Sequence, residues 1–293
     1  MQADIDLTLD IDILRQWVGR TEVMIDHLDA GPAQRMQVTL DRVADMREGT
    51  ELPPFWHYLY FNPQVPASQL KEDGHEKLGR FLPPISLPRR MWAGGTVEIT
   101  QPLSIGETCT KTSIIRDVTL RQGRSGSLCF VTVDHDFTVA NEHRLTERQN
   151  IVYRDMPAAD AEPPNGKAAP LDPTDGFSMT PYQIMLFRYS ALIFYSHRIH
   201  YDLDYARDIE GYPGLVVHGP LMAALAGELG RNLHADKPLK SMNIRALSPL
   251  FAPTPFHVEA RCDANTAHTW VRGPTGDLAM TVDLTFSTGP QDT

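Results

Sequence analysis

Hydrophobic and polar residues alternate along several segments of the chain, and this alternation predicts antiparallel β-strands. In the first half the pattern covers TKTSIIRDV and SLCFVTVDHDFTV, and in the second half it covers FHVEARCD and DLAMTVDLTFS. Side chains of a strand point alternately to its two faces, so a period of two is typical of a strand with one buried face. The glycine-containing segments QGRSG and GPTG predict the turns between neighbouring strands.

Landmarks of the first half recur in the second half at a nearly constant distance. Pro102 and the leucine after it recur at Pro249, 147 positions later. The turn that ends at Gly126 recurs at Gly276, 150 positions later. A shared order of elements at a near-constant offset indicates an internal duplication.

Each half also has an apolar helical candidate ahead of its strands. In the second half it is PLMAALAGEL (220–229), where Pro220 suits the first helical turn and Gly219 suits the N-cap. Apolar residues on nearly every face predict that this helix is buried. PPFWHYLYF (53–61) occupies the similar place in the first half. A long helix wrapped by a curved antiparallel sheet is the hot-dog arrangement, so we expect an α+β double hot dog.

A proline-rich segment separates the two halves. PAADAEPPNGKAAPLDP (157–173) has five prolines in seventeen residues and almost no large apolar side chain, which is typical of a linker. We therefore predict an N-terminal half at 1–156, a linker at 157–173 and a C-terminal half at 174–293.

Composition narrows the class of protein. The chain is 42% hydrophobic and 22% charged, as in a globular protein, and its net charge of −10 disfavours a nucleic-acid partner. No run of 18 apolar residues predicts a membrane span, and the acidic start MQADIDLTLD lacks the apolar stretch of a signal peptide. We expect a cytoplasmic protein without a membrane partner. The three cysteines have no CxxC spacing, so we expect buried thiols.

Three of the eleven histidines lie in one stretch, residues 194–223. The first half has no counterpart of this polar insertion and instead carries extra residues after its own helical candidate. A residue needed only for packing has less reason to be absent from the other repeat. The asymmetry favours chemistry in the second half, with the first half non-catalytic.

These histidines allow three interpretations. His197, His200 and Asp202 could supply metal ligands, but RIHYDLDY shows no clear helical face and no cysteine is near, so we expect no metal. Packing is the default interpretation for Tyr195 and His218 taken alone. The third interpretation is proton transfer.

Proton transfer is favoured by the neighbours of His200. Asp202 could orient its imidazole, and the backbone N–H of Gly219 lies at the positive end of the predicted helix. Such a donor could hold the enolate oxygen of a thioester while a base activates water. A base and an oxyanion donor are what hydration of an α,β-unsaturated acyl thioester requires.

The same stretch resembles the MaoC-like (R)-specific enoyl-CoA hydratase superfamily. That family has a motif of the form D-x-N-P-x-H-x-D, then A-x(3,4)-G and [IV]-x-HG. The matching residues here are His200, Tyr201, Asp202, Ala206, Gly211 and Val216 to Gly219.

The whole chain resembles a two-half subgroup of that superfamily with a FAS1-like N-terminal dehydratase domain, typified by mesaconyl-C4-CoA and itaconyl-CoA hydratases. The segments that carry this likeness are WVGR, LPPFWHYLYF, FLPPISLPRRMWAGG, QGRSGSL and HRIHYD. The resemblance implies His200 as the base and the Gly219 N–H as the oxyanion donor.

One departure from the family concerns the second proton carrier. Tyr195 stands where the family has its catalytic aspartate, and His197 stands where it has asparagine. The candidates here are His197, Tyr195 and Asp202, of which we favour His197. Tyr195 could donate a proton only if its pKa fell well below the usual value of about 10.

A second carboxylate on the acyl group would need a cation. Arg89, Arg90 and Arg198 are candidates, because arginine pairs bidentately with carboxylates. The alternative for Arg89 and Arg90 is a solvated pair or a contact with coenzyme A phosphates. Trp92 and His218 complete the predicted substrate-binding set.

These observations predict a hydro-lyase that hydrates an enoyl-CoA or dehydrates a 3-hydroxyacyl-CoA, for example a C4–C5 dicarboxylyl-CoA such as mesaconyl-, itaconyl- or citramalyl-CoA. Alternatives are a hot-dog acyl-CoA thioesterase and a non-catalytic acyl-thioester-binding protein. A thioesterase needs a carboxylate near the helix start, and His218-Gly219-Pro220 offers none. We expect no cofactor beyond the coenzyme A of the substrate, and a possible homodimer.

Overall fold

A computed structural model describes residues 9–123, 126–156 and 166–287. The strands are β1 (Thr21–His27), β2 (Arg89–Ile99), β3 (Thr108–Gly123), β4 (Gly126–Val139), β5 (Glu142–Arg154), β6 (Asp175–Met179), β7 (Leu239–Ala246), β8 (Phe256–Cys262), β9 (Thr266–Arg272) and β10 (Leu278–Phe286). The α-helices are α1 (Ile11–Leu14), α2 (Ala30–Thr39), α3 (Gln183–Leu192) and α4 (Gly219–Leu233).

The strands form one antiparallel sheet in the order β1-β3-β4-β5-β2-β7-β10-β9-β8-β6. Numbered within its own half, each set of five strands runs 1-3-4-5-2. The two sets meet where β2 pairs with β7. The fold is therefore a double hot dog, and the predicted duplication is confirmed. The strands predicted from the alternating segments are also present, at β3, β4, β8 and β10.

Two adjacent glycines allow the halves to join closely. A Cβ atom at Gly94 would lie 2.1 Å from the carbonyl oxygen of Ile244 on β7, and one at Gly95 would lie 1.7 Å from that of Arg148 on β5. Gly94 also has a φ of +107°, which residues with a side chain rarely adopt. The sequence WAGG therefore places a bulge and a close strand contact at the joint, beside the start of β2.

Helix α4 is the central helix predicted in the second half. It begins at Gly219, one residue before the predicted segment, with Pro220 in its first turn. Nine of its fifteen residues are buried, because the helix packs on β7, β8, β9 and β10. Its Glu228 accepts a hydrogen bond of 2.8 Å from the indole of Trp56. This bond ties α4 to the first half.

The prediction of a helix at 53–61 was wrong. Only a 3₁₀ turn forms there, at Trp56–Leu59, and Phe55 before it has a left-handed φ of 70°. His57 and Tyr58 instead reach inward to the buried carboxylate of Glu147, at 2.9 and 2.5 Å. These bonds fix the two side chains toward the sheet. The α-helix that the first half forms between its first two strands is instead α2, which is ten residues long.

An irregular segment, residues 62–88, leaves the first half and packs against the second. Gly74 touches the backbone there, since a Cβ atom at this position would lie 1.8 Å from the carbonyl oxygen of Ser196. The Ser196 hydroxyl donates to the Gly74 carbonyl at 2.7 Å, and the Arg198 N–H donates to the Asp73 carbonyl at 3.0 Å. We call residues 62–88 the crossing segment.

The predicted linker lies mostly outside the described residues. Strand β5 ends at Arg154 and β6 begins at Asp175. Of the linker itself, Ala168 pairs with Asp277 and Ala169 is buried. The boundaries between halves and linker stay a prediction. In the ranges that the structure describes, no helix is long and apolar enough to cross a membrane.

We expect Gly94→Ala to destabilise the protein more than Gly49→Ala. Both glycines have a positive φ, but open space surrounds the Cβ position of Gly49. The control should cost about 1 kcal/mol for its backbone conformation alone. Gly94→Ala should cost about 3 kcal/mol or more, because the β2–β7 pairing must also move. Urea unfolding of both variants checks this, and equal losses would contradict the close contact at the joint.

Candidate active site

A cavity of about 380 Å³ lies beside the joint between the two halves. Its walls come from both halves, at the start of β2, the crossing segment, the end of β7 and the N-terminus of α4. The polar and charged residues of the lining are Tyr58, Asp73, His75, Arg89, Arg90, Gln149, Tyr195, His197, His200, Glu210, Tyr212, His218 and Ser248. The cavity brings together eight of the ten predicted site residues, including Trp92 and Gly219.

The N-terminus of α4 opens into this cavity at Gly219. Its N–H is the first of the helix and has no acceptor inside it. The ring of Trp92 covers this residue so closely that a Cβ atom would lie 2.8 Å from it. Only glycine fits under this ring without displacing it, and its backbone N–H lies at the positive end of a buried helix dipole.

His200 is held in one tautomer by a backbone hydrogen bond. A short 3₁₀ turn, Arg198–His200, buries the ring, and its Nδ1 lies 2.8 Å from the carbonyl oxygen of Val216. A carbonyl oxygen can only accept, so Nδ1 carries the hydrogen. The other ring nitrogen, Nε2, then has a free lone pair when the ring is neutral.

Burial keeps this ring neutral. It lowers the pKa of His200 to about 4, and the hydrogen bond to Val216 only partly opposes the shift. The ring stacks on His218 with centroids 3.8 Å apart, and two charged rings at that distance would repel. Burial also lowers the pKa of His218 well below its usual value. His200 is therefore an unprotonated imidazole that stacks on His218, the residue before Gly219.

His197 lies between two other imidazoles. Its ring centroid is 4.0 Å from that of His75 and 5.6 Å from that of His200. Burial, followed by the neighbouring imidazoles, lowers its pKa. Neither ring nitrogen has a protein hydrogen-bond partner in the part of the chain that the structure describes. His197 thus faces the cavity uncharged.

Two site residues come from the crossing segment and were missed by sequence reasoning. His75 lies with Nε2 2.7 Å from the hydroxyl of Tyr195 and with Nδ1 3.3 Å from a carboxylate oxygen of Asp73. Burial lowers the pKa of His75 to about 4, although Asp73 opposes this. The only signal in the sequence was the polar run KEDGHEK within the extra residues of the first half.

Of the predicted cations, Arg90 is the one that the structure leaves available. Within the described ranges it forms no hydrogen bond or ion pair, and it lines the cavity. Arg89 is committed elsewhere, to the carboxylate of Glu210 at 3.1 Å and over the ring of Tyr212.

Two predicted residues, Arg198 and Asp202, lie outside the cavity lining. Arg198 donates two hydrogen bonds to Asp202, at 3.0 and 2.8 Å, and stacks over Tyr205. Asp202 also accepts from the backbone N–H of Tyr205. The expected orientation of His200 by Asp202 is replaced by the bond to Val216.

Tyr195 lines the cavity but lacks the lowered pKa that a proton donor would need. Burial raises the pKa of its hydroxyl, although Arg90 partly opposes this. Its hydroxyl is also bonded to His75. Among the described residues, no cluster of three or more His, Cys, Asp or Glu side chains could hold a metal ion.

The fold and the site together define the class of the protein. A double hot dog whose cavity holds a neutral imidazole and a free helix N–H has the two groups that hydration or dehydration of an acyl thioester requires. A family model for hydroxyacyl-thioester dehydratase type 2 matches residues 55–252, and the chain belongs to this family. The predicted relation to MaoC-like enzymes is confirmed.

Similar proteins agree with this assignment. The chain is 41% identical over 271 residues to the mesaconyl-C(4)-CoA hydratase of Chloroflexus aurantiacus, covering 92% of this chain and 96% of that protein. It is 28% identical over 285 residues to the mitochondrial hydroxyacyl-thioester dehydratase type 2 of Schizosaccharomyces pombe, covering 87% and 94%. A MaoC-like dehydratase from Phytophthora capsici has the same fold, with a TM-score of 0.66, 13% identity and coverage of 95% and 98%.

We expect the free energy of unfolding to fall as the pH drops from about 6.5 toward 4. His75, His135 and His200 have pKa values of about 4 in the folded protein, whereas unfolded histidine titrates near 6.5. The unfolded chain therefore binds protons first, and stability is lost as the pH falls. One such imidazole lowers the free energy of unfolding by about 2 kcal/mol between pH 7 and pH 5.

Urea unfolding at pH 7, 6 and 5 measures this loss. The variant His200→Gln, which cannot titrate, should show a shallower decline than the wild type. A free energy of unfolding that stays constant over this range would contradict the account of neutral buried imidazoles.

Proposed function

We propose that this enzyme hydrates a short α,β-unsaturated dicarboxylyl thioester of coenzyme A, of the mesaconyl-C4 kind. The observation that carries the proposal is that a basic nitrogen of His200 and the free N–H of Gly219 share one cavity. The similarity to a mesaconyl-C(4)-CoA hydratase supports the substrate class. Water is the only co-reactant, so we propose no cofactor apart from the coenzyme A of the substrate.

At the start of the reaction, the thioester carbonyl oxygen accepts a hydrogen bond from the N–H of Gly219. Nε2 of His200 removes a proton from water, and the hydroxide oxygen bonds to Cβ. The electrons of the C=C bond move toward the thioester oxygen, where the Gly219 N–H and the dipole of α4 stabilise the enolate. The ring of Trp92 packs against Gly219 at this helix end.

A single imidazole can complete the proton transfers. The pKa values of the cavity histidines are all lowered, so none begins the reaction as an acid. The proton that His200 takes from water returns to Cα, the enolate collapses, and the ring is neutral again. This cycle needs no second carrier, and His197 then acts as an uncharged wall of the cavity.

Arg90 supports a dicarboxylate as the substrate. It is half-buried at the start of β2, and no carboxylate of the described residues pairs with it. Because it forms no ion pair with the described residues, its guanidinium can donate charge-assisted hydrogen bonds to a carboxylate on the substrate. The nearest acid in the lining, Asp73, already accepts from Lys71 and His75.

His200→Gln should lower kcat for hydration by about a hundredfold or more, because the amide cannot take the proton from water. His197→Gln makes the same chemical change 5.6 Å away in ring-centroid distance and should keep kcat within about tenfold. Loss of the conjugated enoyl-thioester absorbance, without release of free thiol, measures hydration. Near-full activity of His200→Gln would overturn the assignment of the base.

Arg90→Gln should weaken the binding of mesaconyl-C4-CoA and leave crotonyl-CoA, which has no second carboxylate, unaffected. Loss of a charge-assisted contact is worth about 1.5–3 kcal/mol, which is about a 10- to 100-fold rise in KM. Steady-state kinetics with both thioesters separates the effect from general damage to the cavity. An equal loss for both substrates would show that Arg90 does not bind the carboxylate.

A further inference from the structure

Three residues of the cavity form a hydrogen-bonded chain that the reaction scheme above does not use. Asp73 and His75 come from the crossing segment and Tyr195 from the second half. Both Asp73 and His75 are largely buried, with side-chain exposures of 14% and 4%. Burying a carboxylate, an imidazole and a phenol is costly unless each is hydrogen-bonded, as these three are.

The first bond of the chain sets the tautomer of His75. The carboxylate of Asp73 also accepts from the ammonium of Lys71 at 2.7 Å and from the backbone N–H of His75 at 2.8 Å. Burial alone would raise the pKa of Asp73, but these donors outweigh it and lower the pKa. An ionised carboxylate only accepts, so the Nδ1 that faces it carries the hydrogen.

The second bond then has only one possible direction. With its hydrogen on Nδ1, a neutral His75 accepts at Nε2, so the hydroxyl of Tyr195 donates across the 2.7 Å contact. The only hydrogen of that hydroxyl is thus committed to His75. Toward the cavity, the phenol oxygen can offer only lone pairs. A group that normally both donates and accepts is restricted here to accepting.

We propose that Asp73, His75 and Tyr195 position the nucleophilic water. The oxygen of Tyr195 accepts one hydrogen of this water while Nε2 of His200 takes the other. Tyr195 and His200 both line the cavity, with ring centroids 5.8 Å apart. Two fixed acceptors turn the lone pair of the water oxygen toward Cβ. This inference rests on the proposed function.

Asp73, His75 and Tyr195 neither gain nor lose a proton in this scheme. The O–H bond that breaks is the one facing His200, and the oxygen–Cβ bond forms as that proton leaves. The second water hydrogen stays on the product as the hydrogen of the 3-hydroxyl group. In the reverse direction, the Tyr195 oxygen accepts from that hydroxyl group and holds it over His200 as the C–O bond breaks. Tyr195 touches the reacting water, and His75 and Asp73 are positioning residues that act through it.

Kinetics of a double-mutant cycle test the proposal. We expect Tyr195→Phe to lower kcat for mesaconyl-C4-CoA about 10- to 100-fold with little change in KM, because misplacing a reacting group costs about this much. His75→Phe should have a similar effect. The double variant should be no slower than the slower single variant, because both changes remove the same fixed acceptor. If the kcat losses of the two single variants multiply in the double variant, Tyr195 and His75 act independently and the proposal is wrong.

Tyr201→Phe is the matched control. It removes a phenol hydroxyl from the same segment, where it donates to the carbonyl of Ser196 at 2.9 Å and lies outside the lining of this cavity. Its kcat should stay within about twofold of the wild type, since surface and loop changes away from the site have small effects. If Tyr201→Phe lowered kcat as much as Tyr195→Phe, removing a hydroxyl group anywhere in this segment would be enough to disturb the site, and the specific role of Tyr195 would be wrong.

An independent measurement does not need turnover. The ¹⁵N spectrum of the histidines in the intact protein should show His75 protonated at Nδ1 and bare at Nε2, with the Nε2 signal shifted by Tyr195→Phe. Protonation at Nε2 would overturn the proposal. If the wild-type enzyme hydrates mesaconyl-C4-CoA and the Tyr195→Phe variant is equally active, the positioning of water by Asp73, His75 and Tyr195 is wrong, whereas the proposed function stands. A wild-type protein that hydrates no enoyl-CoA would overturn the proposed function and, with it, this inference.

Discussion

The hydrogen bond from Nδ1 of His200 to the carbonyl oxygen of Val216 is the contact on which the site depends. It fixes which ring nitrogen is bare, and burial among other imidazoles keeps the ring uncharged. Val216 lies three residues before the N-terminus of α4, so the same short segment orients the proposed base and presents the Gly219 N–H. A shift of this segment would misplace both groups together.

The joint between the halves brings residues of the first half into the cavity at the start of α4. The pairing of β2 with β7 requires the closely packed Gly94, and it brings the start of β2, with Arg90 and Trp92, against the helix of the other half. The first half does not present the start of its own helix α2 to this cavity. It contributes instead through the crossing segment, which carries Asp73 and His75 into the cavity. The expectation of a non-catalytic first half therefore understates its contribution.

Alternation and repeated landmarks were enough to predict the paired halves and the buried α4, and the histidine stretch with its family resemblance led to eight residues of the cavity lining. The helix expected at 53–61 failed because Tyr58 and His57 satisfy a buried Glu147 rather than an amphipathic face. Asp202 looked like the partner of His200 because it is two residues away, yet the chain turns it toward Arg198. His75 could not be placed from the sequence, since 120 residues separate it from Tyr195 and only the tertiary fold joins them.

A crystal structure with a bound, unreactive enoyl-thioester analogue of coenzyme A tests the central claim most directly. Our account predicts the thioester oxygen about 3 Å from the N atom of Gly219, with a water molecule at hydrogen-bond distance from Nε2 of His200 and facing Cβ. A thioester that points away from the start of α4, or a Cβ atom beyond the reach of any water bound to His200, would contradict it.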